Sequence, residues 1–286
     1  MNVLITGVNG FIGCHIAKIF ITNGFQVVGT GRQSSCCSAN IPYVQAELTE
    51  YDTLKPLIEA GPYDGVIHLA AIIKSNSAEP LKVNAMATYN ILQVANQAGC
   101  KFFQHLSSIP IIGMPPDKPI TEDMSVEPNT AYHISKYAAE QVVMLPEFSA
   151  IKRYNLRIAS PIGCGMPMHF LRVMLESARA NLPLTLFGTG SRIQNYIDVH
   201  DIGSSLIKVA ERTPESGLYL LGGESYSNLE VARLCILAAN GGRIVFSEKA
   251  DPADGERWLV DDSMARNAFG HNPQYSLVQS LADMLR

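Results

Sequence analysis

The sequence predicts an α/β protein with a doubly wound parallel sheet and a smaller C-terminal α/β lobe. Short apolar runs alternate with helix-length segments through residues 1–158, and this alternation is typical of βαβ units, which build parallel sheets with right-handed crossovers. The apolar runs are nearly uninterrupted, as expected where helices cover both faces of a sheet. A glycine-rich turn joins the first strand to the first helix.

Predicted strands and helices alternate along the first half of the chain. The strands are expected at 3–6, 26–30, 43–46, 65–69, 102–107 and 151–158. The helices are expected at 11–23, 52–60, 81–98 and 131–144. Gly24 and Gly99 follow two of these helices, as glycine commonly does at a helix C-terminus. Beyond Ile158 the elements are shorter, without a repeat or a low-complexity linker, so we predict a second lobe packed on the first.

The composition is that of a globular chain without a strong charge bias. Of 286 residues, 47% are hydrophobic and 17% are charged, which suffices for a sizeable core. The 22 basic and 26 acidic residues form no basic block, so neither nucleic acid nor an anionic membrane is an expected partner. No apolar run reaches the ~18 residues of a membrane span and no signal peptide is evident, so we predict a cytoplasmic protein.

The cysteines do not form a metal-binding pattern. They contain no C-x-x-C pair and have no histidine at zinc-ligand spacing, so we expect reduced thiols and no metal. The adjacent pair Cys36–Cys37 is expected in an exposed loop rather than in a redox site. The cysteines are Cys14, Cys36, Cys37, Cys100, Cys164 and Cys235.

Three glycines follow the first strand in the pattern G-x-x-G-x-x-G. Glycine permits a tight turn and lets the backbone approach a pyrophosphate, and the helix N-terminus supplies N–H donors and a partial positive charge. The spacing differs from G-x-G-x-x-G, but the same physics applies at the first βα junction. A plain strand-to-helix turn rarely needs three glycines, so we predict a dinucleotide pyrophosphate site. Its residues are Gly7, Asn9, Gly10, Phe11, Ile12 and Gly13.

Tyr132 and Lys136 are four residues apart on a predicted helix and therefore share one face. A free phenol has a pKa of about 10, and a nearby ammonium lowers it, so that Tyr132 can exchange a proton at a carbinol or carbonyl. Ser108 ends the fifth strand at the carboxyl edge of the sheet, where its hydroxyl can hydrogen-bond the same substrate oxygen. Taken alone, the pair also fits an ordinary helix face, and Ser107–Ser108 also fits a strand-end cap.

Together with further segments, these motifs resemble the extended short-chain dehydrogenase/reductase family, of the sugar-nucleotide epimerase/dehydratase type. The further segments are His68 to Ala71, Val83–Asn84 with Asn90 to Leu92, Leu106 to Gly113, Leu156 to Gly163 and Phe187 to Asp201. The resemblance covers almost the whole chain. It implies a Rossmann-type dinucleotide-binding domain at 1–158 and a substrate-binding lobe at 159–286, from which about 195–213 returns to the first domain. It also implies a homodimer formed through the helices at 81–98 and 131–144.

The resemblance implies a role for each matching residue. Ser108, Tyr132 and Lys136 are the expected catalytic residues, and Lys136 also holds the nicotinamide ribose. The segment 47–48 is expected beside the adenine, 69–71 along the nicotinamide, and 160–162 over the nicotinamide ring. The expected cofactor contacts outside the glycine turn are Arg32, Glu47, Leu48, Leu69, Ala70, Ala71, Asn84, Ser107, Tyr132, Lys136, Ser160, Pro161 and Ile162. The expected substrate contacts are Ser108, Ser160, Arg192 and Gln194.

Two departures from the family pattern bear on the substrate. Ser160 stands where the family usually has Asn, and Gln194 stands where it usually has an Arg that contacts the substrate diphosphate. Arg192, two residues earlier, is the candidate substitute. The expected function is an NAD(P)-dependent epimerase or ketoreductase that acts on a sugar, nucleotide-linked by resemblance, with Tyr132 as acid and base.

Other functions differ in class from this one. A dehydratase is disfavoured because Ile109–Pro110, directly after the expected catalytic serine, supplies no acid. An NADP-dependent reductase of a small non-sugar carbonyl is favoured if Gln194 means that no diphosphate is bound. A non-catalytic dinucleotide sensor would be expected to lack the Tyr, Lys or Ser, and all three are present. The sequence does not separate an epimerase, which keeps its cofactor, from a ketoreductase, which releases it.

The end of the second strand bears on the choice of cofactor. An NAD site needs an acid there to accept hydrogen bonds from the ribose 2′-hydroxyl. Gly31 occupies that position and Arg32 follows it, and an arginine can contact a 2′-phosphate through charge-assisted hydrogen bonds. We therefore predict NADP rather than NAD. An Arg32 that only stacks on the adenine would accept either cofactor.

Overall fold

A computed structural model of the protein describes residues 1–73 and 78–286. In chain order its first half contains β1 (Asn2–Thr6), α1 (Phe11–Thr22), β2 (Gln26–Gly31), β3 (Tyr43–Gln45), α2 (Lys55–Glu59), β4 (Gly65–His68), α3 (Glu79–Gln97), β5 (Phe102–Ser108), α4 (Ala131–Val143) and β6 (Lys152–Ile158). Its second half contains β7 (Ser160–Ile162), α5 (Phe170–Arg179), β8 (Pro183–Leu186), β9 (Ile193–Asp198), α6 (Val199–Arg212), β10 (Gly217–Leu221), β11 (Glu224–Ser227), α7 (Asn228–Ala239), β12 (Arg243–Phe246), α8 (Ser263–Phe269) and α9 (Leu277–Met284).

The main sheet has seven strands in the order β10-β6-β5-β4-β1-β2-β3, and every pair is parallel. The chain proceeds outward from β1 to β3 and then returns to build β4, β5 and β6 on the other side of β1. Such a reversal leaves a crevice at the carboxyl ends of β1 and β4, where α/β proteins bind ligands. The predicted doubly wound parallel sheet is confirmed.

The C-terminal half builds two small sheets, of order β11-β9-β7 and β12-β8. Helices α5, α7 and α9 cover them, and their buried apolar side chains form a core of their own, including Leu171, Leu184 and Val231. In between, α6 packs on α1 and β10 joins the main sheet beside β6. The division into domains at 1–158 and 159–286 stays a prediction. No helix within the described ranges is long and apolar enough to cross a membrane.

The segment predicted as one helix at 52–60 has two parts. It begins as a 3₁₀ turn, Tyr51–Leu54, and continues as α2. Pro56 lies in the first turn of α2. Proline has no N–H to donate and fits an α-helix only in that first turn, so the α-helix cannot extend back to residue 52.

The glycine turn brings α1 close to the end of β1. Gly7 has a φ of 68°, in the left-handed region that favours glycine, and its N–H donates to the Thr30 carbonyl at 3.0 Å. The Gly10 N–H donates to the Gly7 carbonyl at 2.9 Å, and α1 begins at the next residue. A Cβ at Gly13 would lie 2.1 Å from the Gly7 carbonyl oxygen. The helix can therefore approach the turn this closely only with glycine at position 13.

We expect Gly13→Ala to lower the free energy of unfolding by about 1–3 kcal/mol, because the methyl group overlaps backbone that must move. Displacing the turn should also weaken dinucleotide binding. Urea unfolding and titration with NADH, followed by fluorescence, measure the two effects. Gly217→Ala is the matched control, since a Cβ there meets nothing within 4 Å. Equal stability of Gly13→Ala and the wild type would contradict the packing argument.

Candidate active site

A cavity of about 210 Å³ opens at the carboxyl ends of β1, β2 and β4. We call it the cofactor-side cavity; it contains many of the residues predicted to hold a dinucleotide. It is lined by Gly7, Asn9, Gly10, Gly31, Arg32, Gln33, Glu47, Leu48, Leu69, Ala70, Ala71, Ile72, Val83 and Ala87. The first amides of α1 have no partner within the helix, as at any helix N-terminus, and Gly7 and Gly10 in the lining carry no side chains. These features fit a pyrophosphate.

Asn9 connects this turn to the loop that follows β2. Its Oδ1 accepts a hydrogen bond from the Cys37 N–H at 2.7 Å, and its Nδ2 donates to the Ser35 carbonyl at 2.8 Å. The side chain therefore holds the rim of the cavity. Phe11, Ile12 and Gly13 begin α1 outside the described lining, so the predicted contacts of these three with a pyrophosphate would come from their backbone N–H groups.

A buried histidine supports the wall formed by Leu69 and Ala70. Both residues donate their N–H groups to the Thr6 Oγ1 at 3.2 Å, and the same hydroxyl lies 2.7 Å from His68 Nδ1. On its other side, His68 Nε2 lies 3.0 Å from the Thr88 Oγ1. The Thr6 hydroxyl is thus surrounded by partners, and the backbone that faces the cofactor-side cavity is held in place.

Asn84, predicted as a cofactor contact, lies behind the cavity wall. It is buried; its Oδ1 accepts from the Ile72 N–H at 2.8 Å, and its Nδ2 donates to the Ile72 carbonyl at 3.1 Å and to the Ser135 hydroxyl at 2.8 Å. Asn84 therefore links α3 and α4 to the loop after β4. The structure places it as a support of Ile72, which lines the cavity.

Ser108 and Tyr132 lie together where β5 ends and α4 begins. The Thr130 side chain caps α4 by accepting from the His133 N–H at 3.1 Å, and so sets the first turn, which carries Tyr132. Burial raises the pKa of Tyr132 to about 12, and a side-chain hydrogen bond with Ser108 acts in the opposite direction. The expectation that Lys136 lowers this pKa is not met in the structure, because its amino group is bonded elsewhere.

The amino group of Lys136 contacts a histidine on β5. Its Nζ lies 2.7 Å from His105 Nε2, and both side chains are buried. Burial lowers the pKa of Lys136 to about 7, while the carboxylate of Glu140 acts in the opposite direction. Burial likewise lowers the pKa of His105 well below its usual value, with Lys136 as the next cause. His105 is therefore neutral at pH 7 and can accept a hydrogen bond from the ammonium.

A buried ion pair lies one turn beyond Lys136. Glu140 accepts from the Arg157 Nε at 2.9 Å and from its Nη2 at 2.8 Å. Ser107 donates its hydroxyl to the same carboxylate at 2.6 Å. The Ser107 side chain thus forms a hydrogen bond that links β5 to α4. It lies outside the described lining of the cofactor-side cavity, so its predicted role in cofactor binding stays a prediction.

A second cavity, of about 380 Å³, reaches the chain neighbours of Ser108 and Tyr132. We call it the substrate-side cavity. Its lining includes Ile109, Pro110, Gly113, Met114, Asn129, His133, Ala159, Ser160, Arg192, Gln194, Asn195, Glu256, Trp258 and Val260. The predicted substrate contacts Ser160, Arg192 and Gln194 are therefore brought together here.

Two residues that line the substrate-side cavity, Arg192 and Glu256, form an ion pair. Arg192 Nη2 lies 3.4 Å from Glu256 Oε2, to which the Trp258 indole N–H donates at 3.2 Å. Gln194 donates through Nε2 to the Asn228 Oδ1 at 3.1 Å. The buried Nε of Arg192 has no hydrogen-bond partner within the described ranges. This cavity therefore offers both signs of charge and an unused donor.

The remaining predicted residues lie around this pair of cavities. Pro161 and Ile162 follow Ser160 in β7, and Ile162 is buried in the C-terminal core. Ser108, Tyr132 and Lys136 are absent from the described lining of both cavities. Their chain neighbours Ile109 and His133 line the substrate-side cavity, so Ser108 and Tyr132 lie next to residues of that cavity.

Sequence reasoning missed the groups that reach the site from distant parts of the chain. Glu256 and Trp258 come from a segment without a regular pattern, and no local signal marks them. His105 had a signal: with Gln104 it puts a polar side chain in the middle of the buried strand Phe102–Ser108, three residues before the predicted catalytic serine. A polar residue inside a buried strand requires a buried partner, and here that partner is Lys136.

Residues 3–222 match the model of the NAD-dependent epimerase/dehydratase family. The chain belongs to this family. The predicted extended short-chain dehydrogenase/reductase type and the prediction of an enzyme are thereby confirmed. A UDP-glucose 4-epimerase from Caenorhabditis elegans is 25% identical over 341 residues, which cover 99% of this chain and 96% of the relative. Another, from Neisseria meningitidis serogroup A, is 27% identical over 330 residues, which cover 100% and 96%.

Solved structures of similar proteins share this family member's fold over its whole length. UDP-glucose 4-epimerase of Thermotoga maritima, determined with UDP-glucose, has a TM-score of 0.88 at 22% identity and covers 100% of this chain and 97% of its own. The Bordetella bronchiseptica enzyme WbmG, determined with NAD, has a TM-score of 0.85 at 21% identity, with coverages of 100% and 93%. At these identities the likeness concerns the fold.

The buried histidines predict a loss of stability in acid. Burial lowers the pKa of His68 to about 3 and that of His105 well below 6.5, so both are neutral in the native state. The unfolded chain binds protons at these sites below about pH 6.5, so the free energy of unfolding falls as the pH decreases from there. We expect His68→Gln to reduce this slope by at most about 1.4 kcal/mol per pH unit, measured by urea unfolding between pH 5 and 7. An unchanged slope would contradict the assignment.

Proposed function

We propose that this protein is an NAD(P)-dependent epimerase of a nucleotide-linked sugar. The observation that carries the proposal is that Ser108 and Tyr132, whose side chains interact, adjoin a cavity lined by Ser160, Arg192 and Gln194, while a second cavity lies at the glycine turn. The names of its relatives support an epimerase over a ketoreductase, since the curated relatives above are UDP-glucose 4-epimerases.

In the proposed reaction the protein moves a proton and orients the sugar. A nicotinamide dinucleotide held by the glycine turn and Lys136 would supply the acceptor, and afterwards the donor, of the hydride at the sugar carbon. Tyr132 accepts the proton of the sugar hydroxyl as the carbonyl forms and gives it back when the hydroxyl is restored. Ser108 holds the same oxygen through a hydrogen bond. Lys136 would donate a hydrogen bond to the nicotinamide ribose, while its amino group also contacts His105.

The nucleotide part of the substrate has a place beside the sugar. Arg192 and Gln194 line both the substrate-side cavity and a further cavity with Phe187 and Lys249. We propose that the diphosphate lies at Arg192, which lines both of these cavities, and that the nucleoside occupies the further cavity.

A reductase of a small neutral carbonyl is the second candidate. The observation that favours it is the ion pair of Arg192 with Glu256, which compensates the positive charge that a diphosphate would need. Conversion of UDP-glucose to UDP-galactose without added reductant supports the first candidate. Consumption of NADPH with a small ketone, and no conversion of the nucleotide sugar, supports the second.

We expect Tyr132→Phe to reduce kcat for epimerisation by about 10²–10⁴-fold, because proton transfer is lost. Cofactor affinity should change little, since the ring remains. The assay follows the interconversion of UDP-glucose and UDP-galactose. Tyr137→Phe, on the same helix, is the matched control and should keep its activity. Near-full activity of Tyr132→Phe would refute the role of this residue.

We further propose that the cofactor is NADP. Gly31 and Arg32 both line the cofactor-side cavity, Arg32 is exposed, and no side chain at position 31 competes with a 2′-phosphate. The enzyme WbmG and a UDP-glucose 4-epimerase of Thermus thermophilus were determined with NAD, so this preference would distinguish the chain from them.

NADPH should bind more tightly than NADH, and Arg32→Ala should weaken NADPH binding about tenfold through the loss of a charge-assisted hydrogen bond. Fluorescence titration measures both affinities, and NADH binding to the same variant is the control, because it lacks the 2′-phosphate. Tighter binding of NADH, or an unchanged affinity of Arg32→Ala for NADPH, would overturn the proposal.

The assembly and location of the enzyme are also proposals. We propose a homodimer through α3 and α4, which pack side by side and expose large apolar side chains. These are Leu81, Met86, Ile134 and Met144. A cytoplasmic location, as predicted from the sequence, agrees with a nucleotide sugar and a dinucleotide as ligands.

A further inference from the structure

His105 lies in the middle of β5 with its ring fully buried. Its Nε2 lies 2.7 Å from the Nζ of Lys136 on α4, and its Nδ1 lies 2.9 Å from the Oδ1 of Asn155 on β6. His105 and Asn155 are also directly opposite each other in the register of the two parallel strands. The ring therefore bridges the sheet to the helix at the residue proposed to hold the cofactor ribose.

The hydrogen bonds around His105 determine which ring nitrogen carries the proton. The Nδ2 of Asn155 donates to the backbone carbonyl of Glu140 at 3.1 Å, so its Oδ1 is the atom that faces the ring. An amide oxygen only accepts, and Nδ1 of His105 must therefore be the protonated nitrogen. Nε2 then has a free lone pair, and it is aimed at Lys136.

We propose that His105 is a positioning residue: as a neutral Nδ1–H tautomer it accepts a hydrogen bond from the Lys136 ammonium and holds it beneath the cofactor site. The proposal rests on the function proposed above, in which Lys136 contacts the cofactor. His105 itself touches neither substrate nor cofactor in this arrangement and acts through the lysine.

Other groups that face Lys136 do not replace this contact. From β4, His68 stacks on His105 with ring centroids 5.9 Å apart, and both of its nitrogens are engaged by threonines. On α4 itself, Glu140 is already paired with Arg157 of β6. His105 is thus the group with which the amino group of Lys136 makes its hydrogen bond.

A hydrogen bond to the charged form of a group raises the pKa of a lysine relative to the same site without it. Burial lowers the pKa of Lys136 to about 7, and loss of the acceptor on His105 should lower it further. The affinity for a dinucleotide that needs the ammonium falls as the pH rises through this pKa. Removing the acceptor should therefore move that fall to lower pH.

Two amide variants of His105 test the contacts of its two ring nitrogens separately. The oxygen of Gln reaches about as far as Nε2, so His105→Gln can still accept from Lys136. The amide of Asn ends near the position of Nδ1, so His105→Asn keeps the bond to Asn155 and loses the one to Lys136. Lys136→Met, alone and combined with His105→Asn, reports the cofactor role of the lysine. NADH is the probe, because the 2′-phosphate of NADPH titrates near pH 6.

The affinity for NADH is measured from pH 6 to 9 by fluorescence titration. We expect the fall in affinity of His105→Asn to lie about one pH unit below that of the wild type, and that of His105→Gln to stay close to the wild type. In the Lys136→Met background, His105→Asn should cause no further change. If His105→Asn keeps the wild-type pH dependence while Lys136→Met weakens binding, the role of His105 is overturned and that of Lys136 stands. Wild-type binding by Lys136→Met would instead overturn the role of Lys136.

A measurement on the wild type reads the tautomers of its histidines directly, and the variants serve only to assign the signals. In protein labelled with ¹⁵N-histidine, long-range ¹H–¹⁵N spectra distinguish the two tautomers. We expect a histidine with a protonated Nδ1 and an unprotonated Nε2 at pH 7, whose signals disappear in His105→Gln or His105→Asn. If every neutral buried histidine carries its proton on Nε2, the proposal is wrong.

Discussion

The burial of the Lys136 amino group is the interaction on which the rest of the site depends. A cation removed from water needs hydrogen-bond partners within the protein, and this one finds its partner in His105 on the central strand β5. His105 in turn requires Asn155 on β6, and Asn155 requires a backbone carbonyl of α4. One buried lysine therefore dictates polar side chains on strands that a covered parallel sheet would otherwise fill with apolar ones.

The same polar layer fixes the rotation of α4 on the sheet. Glu140 lies one turn beyond Lys136 and receives both ends of the Arg157 guanidinium. A buried ion pair adds little net stability compared with apolar packing. Its main effect here is to fix the orientation of α4 against the sheet. With Glu140 held against β6, the preceding turns of the helix present Lys136 to the sheet and Tyr132 to Ser108, because side chains four residues apart share one face.

Local patterns in the sequence predicted most strands and helices of residues 1–158 and the glycine turn, since alternation and glycine position depend on neighbouring residues alone. They could not predict the partners of buried polar groups. His105 and Asn155 are separated by 50 positions, and their contact exists because β5 and β6 pair in one particular register. The expected lowering of the Tyr132 pKa by Lys136 failed for the same reason. Spacing along a helix shows that two side chains lie on one face, but a partner on the sheet, His105, decides where the amino group of Lys136 points.

The substrate-side cavity presents a cation that already has a carboxylate partner. A nucleoside diphosphate can bind there only if Arg192 exchanges Glu256 for phosphate oxygens. Glu256 is half-buried, and it also accepts from the indole N–H of Trp258, a partner that it keeps after the exchange. Arg192 has a further donor, its buried Nε, that no described group uses, and a phosphate can satisfy it once the side chain turns away from Glu256. A small neutral carbonyl would leave both the ion pair and this unused donor as they are. The hydrogen-bonding groups of the cavity therefore favour a nucleoside diphosphate, even though Gln194 stands where the family usually has an arginine.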